Sequence, residues 1–187
     1  RNSRDENKKI KNGVIPEEWE KPENKSKLAQ KDIDADWTKK NGERHFGYKD
    51  HVKCDADSKL ITNYSVTSAS VHDSQRCLVF IGQEDEVLYA DSAYSGKPIA
   101  LALPENCKNQ ICEKGYRNSP LTSEQKMNNR RKSRIRCRIE QIFGFMTGAM
   151  HGITIRSIGI TRAWMNIGIT NLVYNFCRYS YLKGASA

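Results

Sequence analysis

Two carboxylates in this sequence, Asp91 and Glu140, stand where phosphate or metal chemistry is expected. Asp91 directly follows the apolar run Val87-Leu88-Tyr89-Ala90 and precedes the loop Ser92-Ala93-Tyr94-Ser95-Gly96. This pattern predicts a short buried strand whose carboxyl end directs the carboxylate into the crevice where α/β folds bind ligands. The alternative is that Asp91 only caps the following turn, which is a common use of aspartate.

Glu140 stands alone in a strongly basic stretch. It lies beside Ile139 at the edge of the apolar stripe of a predicted long helix, and no acidic residue follows it in the chain. Arg136 precedes it by four residues and so shares its helix face, which makes an ordinary i,i+4 ion pair the alternative. The basic residues around it favour a carboxylate with a specific role; they are Arg130, Arg131, Lys132, Arg134, Arg136 and Arg138.

The distribution of charge is consistent with a phosphate-handling metal site. The 187 residues carry 31 Lys+Arg and 22 Asp+Glu, a net charge of +9. Residues 51–100 hold 7 acidic and 4 basic side chains, whereas residues 101–150 hold 4 acidic and 10 basic ones. Carboxylates would bind cations and the Lys/Arg residues would bind a phosphate backbone. A generic basic surface next to an acidic strand-turn region would give the same distribution.

Composition excludes several classes of protein. No run approaches the roughly 18 apolar residues of a membrane-spanning helix, and no apolar segment of a signal peptide follows the N-terminus. The six cysteines are scattered without a C-x-x-C pair, which favours reduced thiols in a cytosol over disulfides or zinc.

Hydrophobic periodicity divides the chain into a charged arm or insertion (1–44), a core region (45–182) and a tail (183–187). The core region predicts a hairpin, a helix capped by Ser70, a strand that ends at Asp91, a long helix capped by Thr122 and a last helix. This order of elements indicates an α/β fold. The predicted ranges are 45–54 and 60–69 for the hairpin, 72–82, 87–90, 122–147 and 161–182.

Five collinear blocks of the sequence resemble DDE transposases of bacterial insertion sequences, in the IS-four/IS-five group. The block around Asp91 resembles that family's second-Asp block, and Arg136 with Glu140 resembles its R-x-x-x-E block. The blocks are Phe46-Gly47-Tyr48-Lys49-Asp50-His51, Val71-His72-Asp73-Ser74, Val87-Leu88-Tyr89-Ala90-Asp91-Ser92-Ala93-Tyr94, Arg130 to Gly144, and Asn171-Leu172-Val173-Tyr174-Asn175.

The resemblance implies an RNase H-like mixed sheet flanked by helices, with Asp91 and Glu140 as catalytic metal ligands. Two Asp and one Glu would hold two Mg²⁺ ions, which activate water or a DNA 3′-hydroxyl for in-line attack on a phosphodiester. The implied partner is double-stranded DNA, at element ends and target, contacted by the six basic residues named above. It also implies a bacterial cytoplasmic, nucleoid-associated protein that can act as a homodimer in the transposition complex.

The sequence departs from the family pattern at the first Asp, which belongs on a central strand upstream of a segment like 1–44. Asp32, Asp34 and Asp36 do not end an apolar strand, and Asp55 lies in the hairpin turn. The family's Tyr and Lys near the Glu block are replaced by Ser133 and Thr147. We therefore expect the C-terminal part of a transposase that lacks its first catalytic Asp and its central strand, and that is inactive alone.

For several residues the sequence alone allows two interpretations. His72 and Asp73 either lie near the active site or simply start a helix. Asn128, Asn129 and the basic run either bind backbone phosphates or form a solvated face. For the chain as a whole, the alternative to a catalytic transposase part is a non-catalytic DNA-binding remnant of a truncated element.

Overall fold

The computed structural model describes residues 1–40 and 42–185, and within them the chain is a mixed α/β structure, as predicted. The helices are α1 (Arg4–Lys11), α2 (Glu17–Glu20), α3 (Lys25–Leu28), α4 (Ser74–Phe80), α5 (Lys97–Ala102), α6 (Ser123–Arg136), α7 (Arg138–Gly148) and α8 (Ile160–Ala185). The strands are β1 (Asp36–Lys40), β2 (Glu43–Cys54), β3 (Ile61–Ser68), β4 (Val87–Leu88) and β5 (Lys108–Asn109).

The strands form two small sheets. One has the order β1-β2-β3, with β1 antiparallel to β2, and the other pairs β4 with β5 in parallel. The predicted hairpin is confirmed, since the Asp55 N–H donates to the Leu60 carbonyl at 2.9 Å and the Ala69 N–H to the Gly47 carbonyl at 3.0 Å. The RNase H-like arrangement of the strands stays a proposal.

The chain divides into two compact units. Unit 1 contains the described residues of 1–51 together with Ser65–Val71 and Ile153–Thr170. Unit 2 contains Val52–Tyr64, His72–Gly152 and the described residues of 171–187. The predicted boundaries at 44 and 182 stay predictions, and residues 186–187 of the predicted tail lie outside the described part of the chain.

Segment 1–44 is more ordered than its sparse apolar residues suggested. It contains three helices and β1, and Trp19 and Ala35 are buried. Hydrogen bonds join the N-terminal residues and α1 to β1. The Asn7 amide donates to Asp36 Oδ1 at 2.6 Å, and the indole of Trp37 donates to the Asn2 carbonyl at 3.0 Å. Such contacts carry no hydrophobic periodicity, so the sequence pattern did not reveal them.

Helix α4 begins differently from the prediction. Ser70 does not cap it; the ring nitrogen Nδ1 of His72 lies 3.3 Å from the Ser74 N–H and 2.8 Å from the Ser74 hydroxyl. Asp73 occupies the N-cap position without a side-chain hydrogen bond to the helix. This geometry supports the interpretation that His72 and Asp73 start a helix.

The predicted long helix 122–147 is interrupted at Cys137. The predicted cap is confirmed, because the Thr122 hydroxyl accepts from the Gln125 N–H and the Gln125 side chain accepts from the Thr122 N–H. At Cys137 the thiol lies 3.1 Å from the Arg134 carbonyl, and the chain restarts as α7. Of the predicted apolar stripe, Ile142 and Met146 are fully buried.

None of the helices in the described part of the chain combines the length and the apolar character that a membrane span requires.

Candidate active site

Alternation along the strand that precedes Asp91 determines where its carboxylate points. Leu88 and Ala90 pack against the buried cluster of Cys77, Ile99 and Ile111. Parallel pairing extends beyond β4, because the Cys112 N–H donates to the Ala90 carbonyl at 3.0 Å. Successive residues of an extended segment point to opposite faces, so Asp91 faces away from this cluster, and it is exposed.

The strand was predicted to be buried, and this is wrong for one of its faces. Val87 is 36% exposed and Tyr89 is half-buried, whereas Leu88 and Ala90 contact the core.

The Asp91 side chain does not cap the turn that follows it. The backbone carbonyl of Asp91 accepts from the Tyr94 N–H at 2.9 Å, but the carboxylate makes no capping hydrogen bond. Its contact is the Ser92 hydroxyl, which donates to Oδ1 at 3.1 Å. The capping alternative is therefore wrong for the side chain, and the carboxylate is accessible to a ligand.

The pKa of the Tyr94 phenol is affected by the negative charge of Asp91. Burial raises the pKa of the Tyr94 phenol, and the negative charges of Asp73 and Asp91 raise it further. The phenol therefore stays neutral at ordinary pH. The carboxylates of Asp73 and Asp91 both act on Tyr94, so the surroundings of this phenol are acidic.

Glu140 lies in the first turn of α7, where the helix dipole favours an ionised carboxylate. Its side chain is 60% exposed and forms an i,i+4 ion pair with Arg136 at 2.9 Å. An exposed pair of this kind contributes only about 0.3–0.5 kcal/mol, so it leaves Glu140 available to another cation. We predict that the Asp91 and Glu140 carboxylates lie close enough to each other to bind the same metal ions.

The six basic residues predicted to contact DNA differ in their surroundings. Three have partners within the chain: Lys132 donates to the Ile111 carbonyl at 3.0 Å, Arg136 pairs with Glu140, and Arg138 lies 3.3 Å from Asp57. The other three are exposed and have no ion pair with any described residue; they are Arg130, Arg131 and Arg134.

Asn129, in contrast, has a structural role. Its amide accepts from the Glu113 N–H and donates to the Glu113 carbonyl, both at 2.9 Å. The sequence offered a phosphate-binding role for this residue, but both ends of its side chain are used to hold α6 against segment 110–113. Such pairing of an amide with a distant backbone leaves no signal in the sequence.

The other aspartates considered as metal ligands are engaged in local structure. Asp32 accepts from the Tyr48 hydroxyl at 2.7 Å, and Asp34 from the Ile160 N–H at 2.9 Å. Lys11 lies 2.6 Å from the buried Asp36. Asp55 accepts from the N–H and hydroxyl of Ser58, and these hydrogen bonds lower the pKa of Asp55.

Across residues 1–40 and 42–185, no three His, Cys, Asp or Glu side chains are grouped so that they could hold a metal ion. Asp91 and Glu140 nevertheless have the right donor chemistry, because Mg²⁺ binds carboxylate oxygens and keeps several waters. Both side chains are exposed, and neither is committed to a buried hydrogen bond. The chain therefore offers two carboxylates that fit a divalent cation.

Comparison with known proteins assigns the family. Residues 16–176 match the family model described as "Transposase DDE domain". The chain is 34% identical over 117 residues to the "Transposase for insertion sequence element IS1106" of Neisseria meningitidis serogroup B; the match covers 61% of this chain and 40% of that protein. The chain thus spans less than half of the relative's length, and no solved structure matches it. Because the family model covers most of its residues, the chain belongs to the DDE-domain transposases of insertion sequences.

Proposed function

We propose that this chain contributes two metal-binding carboxylates, Asp91 and Glu140, to DNA cleavage and strand transfer by an insertion-sequence transposase with an RNase H-like catalytic domain. The observation that carries the proposal is the alternation that anchors Leu88 and Ala90 in the core and leaves Asp91 exposed at the strand end. Bound Mg²⁺ would activate the attacking oxygen and stabilise the leaving oxygen of a phosphodiester.

The chain's own residues have distinct parts in this proposal. Asp91 and Glu140 bind the cation, and the Ser92 hydroxyl orients the Asp91 carboxylate through its 3.1 Å hydrogen bond. Arg136 restrains the Glu140 carboxylate through their ion pair, and Glu140 would hold the cation together with Asp91. The exposed arginines of α6 bind the DNA backbone. The protein acts in the bacterial cytoplasm, at the nucleoid. In the transposition complex it acts as a homodimer.

A third carboxylate is needed to complete the set that the resemblance implies. The aspartates that could supply it (Asp32, Asp34, Asp36 and Asp55) are held in hydrogen bonds or ion pairs. We propose that the 187 residues alone do not cut or join DNA, because phosphoryl transfer depends on accurate placement of the reacting groups.

The test compares the 187-residue chain with the same chain joined to the sequence encoded directly before Arg1. Each is incubated with Mg²⁺ and a duplex that carries an element end, and cleaved strands are measured. We expect cleavage only with the joined chain. Cleavage by the 187 residues alone would contradict the proposed incompleteness, and no cleavage by either chain would favour a non-catalytic DNA-binding remnant.

The exposed arginines give a prediction about DNA affinity. Replacing Arg130, Arg131 and Arg134 with Ala should reduce the magnitude of the negative slope of log K against log salt concentration by about 2.7, since each phosphate contact contributes about 0.9. Binding to a duplex of unrelated sequence, measured by fluorescence anisotropy between 50 and 200 mM salt, checks this.

The matched control removes the same charge from unit 1. Lys21, Lys25 and Lys27 are also exposed, and their replacement by Ala should leave the slope unchanged. Equal slopes for the arginine variant and the unmodified chain would mean that the α6 run is only a solvated face.

A further inference from the structure

Unit 2 contains a cleft of about 420 Å³, and of its lining the proposed function uses the basic side chains of Arg131 and Lys132 alone. This volume is within the range of small-ligand sites, about 300–1,000 Å³, and suits one nucleotide rather than a duplex. The cleft lies between α6 and the segments around β4 and β5; its lining residues are Tyr89, Gln110, Asn128, Arg131, Lys132 and Ile135.

The walls of the cleft are held in place by hydrogen bonds. Lys132 donates to the Ile111 carbonyl at 3.0 Å, and Asn129 pairs with both backbone groups of Glu113 at 2.9 Å. The Gln110 N–H donates to the Leu88 carbonyl at 2.9 Å. These bonds fix α6 and the β4 and β5 segments to one another, so the cleft exists before any ligand arrives.

The lining has the chemistry of nucleotide recognition. The Tyr89 ring offers a face on which a base can stack, and Arg131 offers a cation for a phosphate. The side-chain amides of Gln110 and Asn128 also line the cleft, and an amide can both donate to and accept from the edge of a base. The lining contains no carboxylate, which favours an anionic ligand.

The cleft lies beside the proposed metal-binding carboxylate. Tyr89 and Asp91 are two residues apart on an extended segment and so share a face, about 7 Å apart along the chain. A DNA strand that placed one base on Tyr89 would carry an adjoining phosphate toward Asp91.

We propose that this cleft binds one unpaired nucleotide of single-stranded DNA, next to the phosphodiester presented to Asp91. The base stacks on Tyr89, the amides of Gln110 and Asn128 contact its edge, and Arg131 binds its phosphate. This inference rests on the proposed function for the identity of the ligand, but its test measures binding without divalent metal and does not depend on Asp91 or Glu140.

The test measures binding of a fluorescent ten-nucleotide single strand and of a twenty-base-pair duplex to the 187-residue chain in EDTA. Tyr89→Ala should weaken single-strand binding about tenfold, because stacking of one base contributes that much, and leave duplex binding within twofold. Tyr89→Phe should retain the affinity, since it keeps the ring. Tyr116→Ala, which removes a 64% exposed tyrosine outside the cleft, should change neither affinity.

A second substitution keeps the proposal testable if Tyr89→Ala does not fold. Gln110→Glu preserves the shape of the lining but places a negative charge opposite the ligand, and should weaken single-strand binding at least fivefold. Gln83→Glu, at an exposed position outside the cleft, is its control. Unchanged single-strand affinity in the cleft variants, or equal losses for single strand and duplex in Tyr89→Ala, would overturn the inference and leave the roles of Asp91 and Glu140 intact.

Discussion

Replacing Asp91 with Asn should lower Mg²⁺-dependent DNA strand cleavage by about a thousandfold or more in the transposase that contains this chain. The substitution keeps the shape of the side chain but removes the charge that binds the cation. Changing a residue that only supports a metal ligand costs about 10–100-fold, so loss of the ligand itself should cost more. Initial rates of strand cleavage, together with Mn²⁺ binding followed by electron paramagnetic resonance, check this.

The control for Asp91→Asn is Asp57→Asn in the same unit. Asp57 is 99% exposed and its contact is a surface pair with Arg138 at 3.3 Å, so this variant should retain activity and Mn²⁺ binding. If Asp91→Asn kept more than about a tenth of the activity, Asp91 would not be a metal ligand.

Glu140→Gln should have an effect similar to that of Asp91→Asn, and Arg136→Ala distinguishes the two interpretations of Glu140. A glutamate that only pairs with Arg136 would contribute about 0.3–0.5 kcal/mol to stability and nothing to metal binding. In that case both variants would behave alike. We expect instead that Glu140→Gln weakens Mn²⁺ binding, whereas Arg136→Ala leaves it intact.

Local signals in the sequence predicted the elements that carry the candidate site. Turn residues between two β-like runs predicted the hairpin, and Thr122 with Gln125 forms the predicted helix start. The apolar run before Asp91 and the basic residues around Glu140 marked each carboxylate separately, and the family resemblance implied one shared role for them. The interruption at Cys137 was missed because neither glycine nor proline marks it, and the apolar spacing from Ile135 to Ile142 continues across it.

Hydrogen bonds between residues far apart in the sequence could not be predicted from local sequence patterns. Tyr174 and Asn175 belong to a block that resembles the family, but the sequence did not indicate what they touch. In the structure the Tyr174 hydroxyl donates to the Lys59 carbonyl at 3.0 Å, and the Asn175 amide pairs with both backbone groups of Ile61 at 2.8 Å. Pairing between residues 114 positions apart depends on the tertiary fold, which local patterns do not encode.

Segment 1–44 contains an acid-sensitive contact of the same kind. Burial opposes ionisation of Glu6, but hydrogen bonds from Lys31, the Ser3 N–H and the Trp19 indole outweigh it and lower the pKa of Glu6 from 4.5 to about 2. Lys31 lies 2.9 Å from the Glu6 carboxylate, and the Glu6 side chain is 24% exposed. A carboxylate with a lowered pKa stabilises the folded state above its unfolded pKa, and this contribution is lost as the pH falls toward 2.

Glu6→Gln should therefore remove part of the acid sensitivity of unit 1. In the unmodified chain, ionised Glu6 contributes roughly 3 kcal/mol at pH 7, of which about 2 kcal/mol is lost by pH 3 because the unfolded state takes up a proton first. The variant should be less stable at pH 7 and should lose about 2 kcal/mol less between pH 7 and pH 3. Urea unfolding followed by tryptophan fluorescence measures this in unit 1, which contains all three tryptophans, Trp19, Trp37 and Trp164. Glu17→Gln, at an exposed position of the same segment, should keep the pH dependence of the unmodified chain, and a matching change in that variant would show that the contacts of Glu6 are not responsible.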